Sequence, residues 1–512
     1  MIPASYISYC APEILVTVWA MFLLLLEAFT DLSPRVITTL ALVNILVTAG
    51  VTLCISTTNP DGGATTLFWG GMCRWDGAAK FFHIFFLIVV ALVIWMGDEV
   101  QAPVAHGGGE FVILPLFTTV GLMLLASAND FMLLFIALEL VTISFYILVA
   151  YQRRNVIALE AGVKYLILGG LSSAFLVMGV AYIFGLTGHT RLDLIWQYFH
   201  YHELNAGISL GLLLVLFGVG FKIAMVPFHS WAPDVYEGAP NSITAFLSVG
   251  SKAGGLIILM RIVLGAFDNP AAAAIWIPVL TFCAIASLIL GNFSAIPQRN
   301  MKRMLGYSSI GHTGFMLVAV IGASVCLTGK VVPFYTENAY GQITVEVYLI
   351  SYLLATFAAF IVLAILERRL PGLEIHHLAG LSQRSPLLAA TFALSLVSMA
   401  GVPPLSGFIA KFYVILVAWH QGLYVLLGFV VFSAIAAFYY YLGPIKSMYW
   451  SEPLDETPIR LNRVTSGVLI GLIVLLLVTG FWAQSMFSLV DGALLGDNGP
   501  EPVPTAVAIV QH

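Results

Sequence analysis

Residues 207–240 read GISLGLLLVLFGVGFKIAMVPFHSWAPDVYEGAP. The opening run carries no charge, and then Lys222 stands shortly before Pro227. An ammonium at the centre of a membrane helix costs about 2.5–3.5 kcal/mol, so its presence asks for a reason. The composition shows that hydrocarbon is the relevant solvent. Of 512 residues, 60% are hydrophobic and only 9% are charged, against roughly 25% charged in soluble domains. A water-soluble fold has no interior large enough for that apolar surface.

A membrane helix needs about 20 mostly apolar residues. That rule predicts fourteen spans: 12–30, 35–56, 80–97, 111–128, 130–150, 161–185, 207–231, 240–265, 272–295, 302–325, 344–367, 387–417, 422–447 and 464–486. The expected fold is an all-α polytopic membrane protein with short connections and no soluble module, its tail 487–512 extended. The first apolar stretch lacks a basic flank and a small-residue cleavage site, so it reads as an uncleaved helix. Five scattered cysteines without a CxxC argue against zinc, iron–sulfur or disulfide scaffolds. No glycine-rich phosphate fingerprint is present.

The basic residues orient the chain. Loops after spans 1, 5, 9, 11 and 13 hold Arg35, Arg153, Arg154, Arg299, Lys302, Arg303, Arg368, Arg369, Arg384, Lys446, Arg460 and Arg463. Loops on the other side hold only Arg74, Lys80, Arg191 and Lys330. By the positive-inside rule, both termini face away from the cytoplasm. Lys164, Lys222, Lys252, Arg261 and Lys411 fall inside spans. Arg261 and Lys164 lie near span ends, where long side chains snorkel to headgroups. Lys222, Lys252 and Lys411 are deep. Glu139 is the central acid; Glu13 and Glu27 read as interfacial, and His376 and His377 as solvated in a cytoplasmic loop.

Two spans are interrupted. Span 7 carries Pro227 and then Pro233, and span 12 carries MAGVPPLSGFIAKF with Pro403 and Pro404. Proline removes a backbone donor, and in lipid the freed carbonyls need protein or water partners. Grouping spans 4–8 and 9–13 places both breaks in the fourth helix of a five-helix unit. An odd number of helices inverts the second unit, and matched breaks in inverted repeats point to a transport site. The expected organisation is residues 1–110 as N-terminal helices 1–3, then repeats at 111–265 and 272–447, then 464–512. Desolvation loosens an amine's hold on a proton and a neighbouring carboxylate restores it. Glu139, Lys222, Lys252 and Lys411 therefore suit a proton relay, which His229 and His312 could extend. The competing reading is that these charges only lock helices together.

KIAMVPFHSWAPDVYEGAP followed by NSITAFLSVGSKAGG resembles the signature of subunit N of bacterial NADH–quinone oxidoreductase, respiratory complex I. NDFMLLFIALELVTISFYILVAY, GNFSAIPQRNMKRMLGYSSIGHTGFML and LAGLSQRSPLLAATFALSLVSMAGVPPLSGFIAKFYV extend the resemblance over roughly residues 110–450. It implies proton translocation driven by electron transfer from NADH to quinone, with other membrane subunits of the complex as partners in the bacterial inner membrane. Quinone, NADH, flavin and iron–sulfur clusters would sit in those partners, and none in this chain. It also implies proton-pathway roles for Glu139, Lys164, Lys222, Lys252 and Lys411, with Glu139 and Lys222 as a switching charge pair. The wider family includes cation/proton antiporter subunits, which supply the alternative function. Span 11 departs from the family, with Thr356 and Phe357 where an asparagine and a small residue are usual.

Overall fold

The computed structural model describes residues 4–30, 32–57, 65–100, 109–199, 201–324, 337–370, 372–453, 455–482 and 490. Its first helices are α1 (Ala4–Phe29) and α2 (Pro34–Cys54). A small antiparallel hairpin follows, β1 (Thr66–Phe68) with β2 (Cys73–Trp75), pairing Thr66 with Trp75. Next come α3 (Gly77–Glu99), α4 (Glu110–Ser127), α5 (Phe131–Val149) and α6 (Val156–Thr187). The short α7 (Leu192–Tyr198) precedes the halves of the first broken span, α8 (Ala206–Lys222) and α9 (Trp231–Gly238). One continuous span then runs through α10 (Asn241–Phe246), a π-helical segment Leu247–Ser251, α11 (Lys252–Met260) and a second π-helical segment Arg261–Ala266. The rest comprises α12 (Pro270–Ala295), α13 (Met301–Gly322), α14 (Glu337–Glu367), α15 (Leu381–Arg384), the second broken pair α16 (Pro386–Ala400) and α17 (Ser406–His420), α18 (Tyr424–Trp450) and α19 (Arg463–Phe481).

Among the described residues, twelve spans are long and apolar enough to cross a membrane. The two broken pairs stand where spans 7 and 12 were expected. Expected boundaries hold to within about five residues, except that α1 starts at Ala4 and α14 at Glu337; α6 starts at Val156. Asn155 explains the early start of α6, since its side chain caps the Ile157 amide. The connection between the second and third spans is longer than the short ones expected and contains the hairpin, and the tail 487–512 lies outside the described residues apart from Val490.

One hydrophobic cluster runs from Val16 on α1 to Leu476 on α19, so the helices share a single core. Lipid is as apolar as leucine, so close packing of small residues matters more than burial. A Cβ on Gly179 of α6 would stand 2.6 Å from the Gly211 carbonyl of α8, and one on Gly291 of α12 would stand 2.9 Å from Gly311 Cα of α13. Only glycine permits these approaches. The polarity of the spans differs sharply by position. The 241–266 span and α13 are almost wholly buried, whereas α6 and α19 turn most of their surface outward.

Candidate proton pathway

In the first break, α8 ends at Lys222 and the chain turns through Ala224, whose φ of +56° lies in the left-handed region. The freed backbone finds partners. Thr313 Oγ1 donates to the Ile223 carbonyl at 2.7 Å, Trp231 Nε1 to the Phe221 carbonyl at 3.0 Å, and the Val226 amide to Ser287 Oγ at 3.1 Å. In the second break, α16 ends at Ala400 and Gly401 takes φ +86°. Here the lysine itself serves the freed backbone, Lys411 Nζ donating to the Ala400 carbonyl at 2.9 Å. Pro227, Pro403 and Pro404 all lie on the outer side of their breaks, exposed on this chain.

The three deep lysines are buried: Lys222 is 6% exposed, Lys252 2% and Lys411 5%. None of them snorkels. Lys222 Nζ donates to Thr142 Oγ1 at 2.6 Å, and that hydroxyl donates on to the Leu138 carbonyl. Lys252 directly follows the first π-helical segment and donates to the Ser309 carbonyl at 2.5 Å and to Ser309 Oγ at 2.6 Å. π-Bulges free carbonyls and concentrate at functional sites. Tyr236 OH lies 2.7 Å from Ser309 Oγ, and Lys252 Nζ is 5.3 Å from the Tyr352 ring centroid.

His312 continues the line. Its Nδ1 is 2.7 Å from Tyr348 OH and its Nε2 3.3 Å from Tyr441 OH, which in turn bonds Ser308. Tyr348, Tyr352 and Ala355 recur on one face of α14. With His312, Ser398 and Lys411 they line a small cavity of ≈ 10 Å³, about the space one water centre needs. The aromatic ring of Phe315 closes over Lys411 Nζ at 4.8 Å. Lys252, His312 and Lys411 are thus brought together around α13 and α14.

Other expected members stand apart. Among the described residues no ion pair within 4 Å joins Lys222 to Glu139, so the two expected partners are not in direct contact. Glu139 is half-buried and accepts from Ser173 Oγ at 2.5 Å, while Lys222 reaches Thr142 one turn along α5. Lys164 is 43% exposed at its side chain and pairs with Glu160 at 2.7 Å and Asp234 at 2.8 Å. Arg303 joins that network through Asp234 and Glu237, which accounts for both acids of WAPDVYEG. His229 is half-buried beside its break, and among the described residues its Nδ1 has no hydrogen-bond partner.

Two expectations are corrected outright. Arg261 does not snorkel: it is 7% exposed and forks onto Asp76 at 3.0 and 3.1 Å, and onto the Ala126 carbonyl. Asp76 sits outside the spans, as the cap of α3. Burial works against its charge, but Arg261 and Arg74 more than offset this and hold the carboxyl well below its usual range. Glu13 is not interfacial either, being 6% exposed and 2.8 Å from His83. Glu27, near the end of α1, does stay half-buried, against the backbone of Gly109 and Glu110 at the start of α4. Sequence reasoning missed Thr142, Ser309, Tyr348 and Tyr352. The signal for Ser309, Tyr348 and Tyr352 was their spacing, since each falls on a helix face that carries other buried polar residues; Thr142 lies one turn from the half-buried Glu139. It also missed Glu346 on α14, fully buried with Gln342 as its partner.

A family profile described as NADH:quinone oxidoreductase/Mrp antiporter, TM, matches residues 128–436. The chain is 37% identical to NADH-quinone oxidoreductase subunit N of Rhodospirillum rubrum, over 87% of this chain and 88% of that one. It is 38% identical to subunit N 2 of Roseiflexus castenholzii, over 93% and 94%. A chain of respiratory complex I from Thermus thermophilus, solved with bound aureothin, superposes with a TM-score of 0.76 at 28% identity, covering 93% of this chain and 98% of that one. Broken helices that carry deep lysines, and relatives that match nearly end to end, lead to one conclusion: this chain belongs to the antiporter-like membrane subunits of the NADH:quinone oxidoreductase/Mrp antiporter family.

Proposed function

We propose that the chain is a membrane-arm subunit of an NADH–quinone oxidoreductase and translocates protons, coupled to electron transfer from NADH to quinone in other subunits. The observation that carries this reading is the buried line from Lys252 through Ser309, Tyr352, His312 and Tyr348 to the cavity at Lys411. Every group on it donates or accepts a proton, and hydrocarbon surrounds it. The names of the relatives at 37% and 38% identity favour the oxidoreductase over a cation/proton exchanger. A likeness to an Mrp complex at 19% identity shows the fold alone.

In this reading Lys222 and Lys252 load and pass protons near the midplane and Lys411 hands them on. Glu139 modulates Lys222 through charge across one helical turn rather than through contact. Lys164 acts from the surface, where its ties to Glu160 and Asp234 set the local field. His312 relays between two tyrosine hydroxyls, and His229 serves only its break. Flavin, iron–sulfur clusters and the quinone belong to partner subunits, and this chain supplies no redox step. The inverted repeats at 111–265 and 272–447, and termini outside the cytoplasm, complete the proposal.

The test uses Lys222→Ala, Lys252→Met and Lys411→Ala in the assembled complex in proteoliposomes, with protons counted per electron. Each is expected to lose most proton translocation while the complex still assembles. Wild-type stoichiometry in all three would overturn the pathway.

A further inference from the structure

Helices α1 to α4 enclose a second polar cluster, outside the lysine line and outside the segment 128–436 that the family profile matches. Glu13 on α1 and His83 on α3 are 6% and 0% exposed, with Glu13 Oε1 2.8 Å from His83 Nε2. Ser127, ending α4, places its Oγ 3.5 Å from the same oxygen. His83 Nδ1 lies 2.6 Å from the Ala79 carbonyl. A carbonyl only accepts, so Nδ1 carries a hydrogen. One proton then remains between Nε2 and Oε1. The pair is either imidazolium with carboxylate or neutral imidazole with carboxylic acid, and both are neutral overall. Glu13 Oε2 is buried with no hydrogen-bond partner, so one acceptor stays open.

The surroundings add no competing charge at the pair itself. Trp75 packs edge-on against the His83 ring at 5.1 Å. Cys10 and Cys73 are within electrostatic reach of Glu13, and burial pushes the Cys73 thiol up, so it stays neutral. The buried face of α2 offers Asn44, Thr48 and Thr52. Of the charged groups around the pair, Asp130 is felt at Cys73, Asp76 is paired with Arg74 and Arg261, and Lys80, one turn before His83 on α3, donates to the Leu53 and Ile55 carbonyls. One turn from Glu13, Ser8, Tyr9 and Ala11 line an open cleft of ≈ 440 Å³ together with Gly50, Cys54 and Ser56 of the α2 end.

We propose that Glu13 and His83 form a second proton-binding site, exchanging one proton with the face that carries the hairpin. An incoming proton binds Glu13 Oε2 and leaves an imidazolium bonded to a carboxylic acid; its release restores the neutral pair. The net charge goes from zero to plus one and back, with no other bond changed. The site rests on the reading that this chain translocates protons.

The experiment compares Glu13→Gln, His83→Gln and His83→Lys in the assembled complex, with Lys222→Ala in parallel. Protons per electron are measured against external pH, and pH-pulse infrared difference spectra record protonated carboxyls. Glu13→Gln is expected to lose one carboxyl band, and all three dyad variants to change the pH profile. His83→Lys keeps a static ion pair, so full recovery of profile and band in that variant would reduce the pair to a structural lock and overturn the proposal. Unchanged band and profile in Glu13→Gln would do the same. If Glu13→Gln does not assemble, Glu13→Asp replaces it: a shifted band supports the site and an unshifted one overturns it. Loss of pumping in Lys222→Ala beside unchanged band and profile in the dyad variants would sink the dyad and leave the lysine pathway standing. Normal pumping in Lys222→Ala would count against the pathway instead.

Discussion

At the scale of single residues, a charge in this chain is tolerated only when something meets it, and the partner differs from case to case. Arg261 is met by Asp76, a full opposite charge, whereas Lys222 and Lys252 are met by hydroxyl and carbonyl oxygens. The first arrangement is a closed ion pair, and the second holds the ammonium by neutral oxygens, which is what the proposed pathway requires. Asp76→Asn tests the closed pair. Removing one partner of a buried ion pair costs about 3–5 kcal/mol, so the variant should melt at a clearly lower temperature in detergent. The pH dependence follows from the depressed carboxyl of Asp76. Above about pH 4, where the unfolded aspartate is ionised, the stabilisation is fully present. It is lost as pH falls toward the lower folded value, because there the unfolded chain binds the proton more readily. The melting gap between wild type and Asp76→Asn should therefore hold steady from pH 8 to 5 and narrow below about pH 4.

At the scale of elements, proline alone does not break these helices. Pro115, Pro278 and Pro444 all sit inside intact helices, although each leaves the carbonyl one turn earlier without its amide donor. The breaks occur where proline meets a left-handed residue, Ala224 or Gly401. Gly401→Val should cost about 1–2 kcal/mol in backbone alone and push against Lys411 Cδ, 2.7 Å from the new Cβ. Proton translocation should fall more than assembly does, as measured in proteoliposomes and on native gels. The α12–α13 contact gives a purely structural counterpart. Gly291→Leu should destabilise by about 1–3 kcal/mol through overpacking, seen as a lower melting temperature. Gly428→Leu, where a Cβ meets nothing within 4 Å, should melt as wild type does.

At the scale of the whole molecule, two faces differ in kind. One carries the hairpin, knitted to neighbouring loops by Asn129, Arg191 and Asp193; the other carries most of the arginines. The orientation predicted from them is checked by cysteine labelling in oriented vesicles. Glu456→Cys should react with an impermeant maleimide from the cytoplasmic side only, and Leu67→Cys on the hairpin from the opposite side only. Reversed labelling would overturn the proposed orientation of the chain.

Hydropathy alone determined the membrane setting, the positions of the spans and the two breaks, because a span must be apolar over about 20 residues and the exceptions stand out. The same contrast exposed Lys222, Lys252 and Lys411. What a linear reading of charge could not decide was who meets whom. Glu139 and Lys222 have complementary charges, yet helix rotation brings Lys222 to Thr142 instead. Glu13 lies near the start of a span and looked interfacial, yet His83, far away in sequence, buries it. Arg261 seemed free to snorkel until Asp76 and the end of α4 closed around it. The π-helical segments before Lys252 and starting at Arg261 also escaped, since LSVGS and RIVLGA carry no residue pattern that separates a π turn from an α turn. The cause is common to all of them: transfer from water is an additive property of residue types, whereas pairing depends on the rotation and depth of helices far apart in the chain, and only their packing sets those.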